Sequence, residues 1–124
     1  MKTRQTLTRQ LAGLVIGGVL LAACSTSNGH AVAACKQVRV AIATYKSAAE
    51  LTGDARHERI AHAQVLLTRA LGNAAAATSD DGTYNALQTT ISESVRVGIS
   101  HVIPSLEAQC TSILAKNPYA PNGS

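Results

Sequence analysis

Ala31 to Leu51 reads AVAACKQVRVAIATYKSAAEL, and the spacing of its apolar side chains decides the fold class. Cys35, Val38, Ile42, Tyr45 and Ala49 recur at alternating intervals of three and four, which puts them on one face of an α-helix. Lys36, Arg39, Lys46 and Glu50 occupy another face and read as solvated. A helix of this kind needs a partner for its stripe. Gly53 suits the position just past its C-terminus, and Asp54 can cap a following helix.

Further along the chain the same period returns. Ile60, Ala63, Leu67 and Leu71 give an inward face for a second helix over Ala55 to Leu71, with Arg56, Arg59 and Arg69 mostly outward and Gly72-Asn73 as a stop. Ala74 to Ala77 suits either an extension of that helix or a connection, whereas Ser79-Asp80-Asp81-Gly82 reads as a turn. From Thr83 onward Tyr84, Leu87, Ile91, Val95, Gly98 and Val102 repeat at helical spacing, and Leu106, Cys110 and Ile113 continue the pattern beyond Pro104. Proline removes a backbone donor and crowds the preceding turn, so the last helix kinks at Pro104 or a new one starts there. The expected fold is all-α: a small bundle of three to four helices, the last kinked or broken at Pro104. Alanine-rich faces let helix axes approach at the lower end of the usual ~8–10 Å.

Cys35 and Cys110 both fall on apolar stripes. In an exported protein an even pair of cysteines reads as a disulfide, here joining the first helix to the last. Closing a loop of that length disfavours the unfolded chain by about 4.5 kcal/mol on chain-entropy grounds. A domain without Phe or Trp gains from such a staple. A metal or redox pair finds no support, since there is no CxxC spacing and no ligand set nearby.

The N-terminus supplies the compartment. Lys2, Arg4 and Arg9 precede LAGLVIGGVLLAA, an uncharged run of thirteen residues from Leu11 to Ala23. A charged n-region followed by a short h-region is a signal-peptide layout. As a helix the run would rise only about 20 Å, short of the ~30 Å hydrocarbon core. Arg4 and Arg9 are separated, so no twin-arginine signal is present.

At the end of the run Leu21-Ala22-Ala23-Cys24 resembles the lipobox of bacterial lipoproteins: a branched aliphatic residue, two small ones and a cysteine. The resemblance covers residues 1–24. It implies that the Cys24 thiol receives a diacylglycerol, that the signal peptide is cut before Cys24, and that the new amine can be acylated too. An ordinary signal peptide cleaved after Ala-x-Ala would leave the cysteine in that slot an accident. Two or three acyl chains hold far more firmly than a single myristoyl chain. The mature part resembles small lipoproteins of actinobacteria.

The expected organisation is a signal peptide over 1–23, a lipidated cysteine and flexible tether over 24–31, the helical bundle over 32–116 and a frayed tail over 117–124. Loss of Lys2, Arg4 and Arg9 lowers the formal charge from +4 to +1. With Tyr45, Tyr84 and Tyr119 as the aromatics, no basic patch with interleaved rings points to nucleic acid.

Residues for catalysis are sparse. HERIAH places His57 and His62 five apart, about 140° around a helix, whereas a HExxH zinc site needs them four apart. Glu58 and His62 sit at the i,i+4 spacing of a solvated surface pair. His30 falls in the tether, and neither His30 nor His101 has a cysteine or carboxylate at ligand-like spacing. There is no G-x-S-x-G elbow, and Thr89, Ser92, Glu93 and Arg96 read as a polar face. The scattered carboxylates make a buried acid pair improbable. No catalytic residue, metal ligand or cofactor is expected. The functional expectation is a membrane-anchored, outward-facing envelope lipoprotein that offers a helical surface to an envelope protein or cell-wall partner. The alternative is a carrier of a small apolar ligand held between the helices.

Overall fold

A computed structural model describes residues 27–116. Over these residues the chain forms four α-helices and no strand: α1 (Ser27–Ser47), α2 (Gly53–Asp80), α3 (Asn85–Val97) and α4 (Ile99–Ala115). Short 3-10 turns, Ala48–Glu50 and Gly82–Tyr84, end α1 and lead into α3. Cross-helix pairs fix the topology. Asn73 meets Gln37, and Arg59 meets Ser47, so α2 runs antiparallel to α1. Gln64 meets Ser94 across α2 and α3, and Gln109 meets Thr90 across α3 and α4. With α4 also packed on α1, the four helices close an up-down-up-down ring.

The core follows from the stripes. Cys35, Val38, Ala41 and Ile42 of α1 pack with Ala63, Leu67, Ala70 and Ala74 of α2, Leu87 and Ile91 of α3, and Ile99, Val102, Ile103, Leu106 and Cys110 of α4. Small side chains dominate the principal pair, α1 with α2, where Ala34, Ala41, Ala63, Ala70 and Ala74 are fully buried. Cys35 and Cys110 are bonded, with Cα atoms 5.3 Å apart, inside the range a disulfide spans without backbone movement.

Four boundaries differ from the sequence reading. The tether expected over 24–31 is helical from Ser27, because Ala31 and Val32 are already buried against the bundle. Asp54 does not cap α2. Thr52 holds the extended N-cap position, Gly53 turns the chain at φ +58°, and Asp54 lies in the first helical turn.

Gly72-Asn73 is no stop either: α2 runs through it to Asp80. Ala63, Leu67, Ala70, Ala74 and Ala77 form one unbroken buried stripe, and Asn73 bonds back to α1. That burial outweighs the cost of about 1 kcal/mol for a mid-helix glycine.

The last helical stretch is broken, but at Gly98, six residues before Pro104. Gly98 takes φ +91° and ψ 152°, a region essentially confined to glycine. Its N–H still donates to Ser94 O at 2.8 Å, ending α3, and α4 starts at the next residue. Pro104 lies inside α4. The break falls just before Ser100, whose carbonyl a proline four residues on would crowd.

Candidate functional site

Cys24, the expected lipidation site, lies outside the described residues, as do the signal peptide over 1–23 and the tail over 117–124. Cys35 and Cys110 are both buried and joined. His57, Glu58 and His62 are exposed along the first turns of α2. Among the described residues no group of three or more His, Cys, Asp or Glu side chains could hold a metal ion. No helix of the described residues is long and apolar enough to cross a membrane.

His30, expected in the tether, is instead half-buried on α1. Its Nδ1 lies 3.3 Å from Asn73 Oδ1, while Asn73 Nδ2 donates to Gln37 Oε1 at 2.9 Å. This chain of amides and imidazole fixes the register of α1 on α2. Nearby the Tyr84 hydroxyl donates to Asn28 Oδ1. Desolvation first, and then the Asp81 charge, raise the Tyr84 pKa above the usual phenol value. His101 is exposed in the first turn of α4, with Nδ1 3.3 Å from Oγ of its neighbour Ser100, also exposed.

Two more polar pairs bridge helices. Gln64 Nε2 donates to Ser94 Oγ at 2.9 Å, and the fully buried Ser94 hydroxyl donates to Ile91 O at 2.6 Å. Gln109 Nε2 donates to Thr90 Oγ1 at 3.0 Å, whereas Gln109 Oε1 is buried without a protein partner. Sequence periodicity assigned these side chains no role, because each pair joins residues far apart in the chain. On α3 Arg96 bonds Glu93, which holds the guanidinium pKa above its ordinary value.

Two half-open grooves lie on the surface of the described residues. A half-open groove of about 420 Å³ runs between α1 and α4; Val38, Ile42, Leu106 and Cys110 line it, with Arg39 and Lys46 at its edge. Lys46 Nζ spans to Glu107 Oε2 at 2.8 Å across the same groove. A second, of about 380 Å³, lies between α3 and α4 and includes Tyr84, Leu87, Gln109, Ile113 and Lys116. These grooves offer apolar contact with charged margins, and neither brings a nucleophile together with a base and an orienting acid.

Compared with protein-family models, with curated proteins and with solved structures, the chain matches none. Over the described residues the chain is an all-α, up-down-up-down four-helix bundle closed by a disulfide.

Proposed function

We propose that this chain is an exported lipoprotein, anchored to the membrane through Cys24, facing outward, and acting as a non-catalytic surface for an envelope protein or cell-wall polymer. The observation that carries the reading is the ordered run of basic n-region, apolar h-region and Leu21-Ala22-Ala23-Cys24. The Cys35–Cys110 bond suits an oxidising compartment. A packed core favours presentation of a surface over carriage of an apolar ligand: Val38, Leu67, Leu87, Ile91 and Leu106 are buried in one cluster, and the two grooves are open to solvent.

Detergent phase partitioning tests the anchor. The wild-type protein should enter the detergent phase, and Cys24→Ser should remain in the aqueous phase. Equal partitioning of the two would overturn the anchored reading. Crosslinking intact envelope with the lipidated protein as bait then reads the partner.

A further inference from the structure

We infer that the outward face of α1 lies along an anionic lipid surface and makes a second membrane contact beside the anchor. The inference rests on the anchored reading of Cys24. From Cys24 to Ser27 the chain spans three residues, at most about 10 Å when extended. Because Ser27 already lies on α1, lipid chains on Cys24 bring the N-terminal part of α1 to the headgroups.

The charge on α1 then selects the side that meets them. Its sequence, SNGHAVAACKQVRVAIATYKS, contains Lys36, Arg39 and Lys46 and no Asp or Glu. At 100° per residue Lys46, Arg39, Ala43, Lys36 and Val40 share an arc of about 120°, opposite the buried Ala34, Val38 and Ala41. Val40, within that arc, is 56% exposed. Alongside lies the α1–α4 groove, with Val38, Ile42 and Leu106 apolar between Arg39 and Lys46. Glu107 of α4 is the acid in that groove, and Lys46 bonds it.

The end of the bundle nearest the anchor is less basic, with Lys116 near Tyr84 set against two acids. The Tyr84–Asn28 hydrogen bond sets the α2–α3 turn beside the start of α1, and Asp80 and Asp81 sit in or against that turn. Anionic headgroups attract α1 more than this end, so the bundle tips from its end onto its side. The long Arg39 side chain reaches phosphate while its stem and Val40 meet the acyl boundary. Each basic residue at an anionic surface adds about fivefold in affinity.

The chain contains no tryptophan, so single substitutions at exposed valines report position. Val40→Trp marks α1, Val65→Trp marks α2 and Val95→Trp marks α3; these valines are 56%, 48% and 68% exposed. Each full chain is expressed in bacteria, purified from membranes and placed in phosphatidylethanolamine–phosphatidylglycerol vesicles carrying a dansyl headgroup acceptor. Energy transfer from Val40→Trp should exceed that from the other two several-fold, and should fall in vesicles without phosphatidylglycerol or on adding Arg39→Glu. Equal transfer from all three, or transfer from Val40→Trp that ignores lipid charge, would overturn the α1 contact. So would burial of Val40→Trp that grows with protein density while its transfer stays low, which marks a second copy on this face. The mass of the N-terminal peptide in the same sample separates the two claims: a missing acyl mass sinks the anchored reading, whereas an acylated protein with equal transfer sinks only the contact.

Discussion

Cys35 on α1 and Cys110 on α4 are joined across 75 residues of sequence, with Cα atoms 5.3 Å apart and both side chains buried. The bond closes the ring where the chain itself does not. α1 meets α2 through a short connection, as α2 meets α3 and α3 meets α4, whereas α4 and α1 have no chain between them.

Breaking this bond should lower stability by about 2–5 kcal/mol, a large share for a domain of this size. Cys35→Ala/Cys110→Ala, followed by urea unfolding, measures the loss. An unchanged midpoint would mean that packing of α4 on α1 suffices without the covalent link.

Two glycines should respond to alanine with opposite signs. Gly98 holds φ +91° with nothing closer to a built Cβ than His101 Nδ1 at 4.0 Å, so the penalty of Gly98→Ala is backbone strain, about 1–3 kcal/mol. Gly72 lies within α2 with open space around a built Cβ, and Gly72→Ala should stabilise by about 0.5–1 kcal/mol. Thermal melts of both variants decide it; a neutral Gly98→Ala would remove glycine as the reason the chain breaks there.

Much of this fold was legible because amphipathic stripes at intervals of three and four depend only on neighbours in sequence. The all-α class, the inward cysteines and the turn near Asp81 follow from such local rules. The breaks did not. Gly98 sits on the stripe between Val95 and Val102, and only the closing of α4 on α1 makes folding back there better than continuing, leaving Val95 exposed. Gly72-Asn73 resembles a stop, yet Asn73 bonds Gln37 on another helix, a contact no local pattern encodes. Candidate surface features were harder still. The groove between α1 and α4 joins residues 38 to 46 with 106 to 111, and it exists only once the ring is closed.

Ser94 is fully buried and carries the hydrogen bond from Gln64 that ties α2 to α3. Ser94→Ala should cost about 1 kcal/mol, since Gln64 loses its acceptor on α3. Ser94→Leu should cost about 1–3 kcal/mol by overpacking the same space. A double-mutant cycle with Gln64→Ala isolates the pair; a coupling of zero would show that the bond adds nothing to the interface.

Asp81 ends α2 with a local bond of its own. Its carboxylate accepts the Thr83 backbone N–H at 3.0 Å, and that bond, then one from the Thr83 side chain, hold its pKa below the usual carboxylate value. A carboxyl depressed in the folded state stabilises it fully above the unfolded pKa, about 4, and loses that contribution as pH falls through the folded value. Asp81→Asn keeps an acceptor for Thr83 but cannot titrate. Denaturant unfolding from pH 7 down to pH 2 should therefore show the wild-type protein losing a component of stability below about pH 4 that Asp81→Asn retains. Carbon-13 titration of the Asp81 carboxyl reads the same quantity directly, and an ordinary midpoint there would mean that the Thr83 bond does not persist in solution.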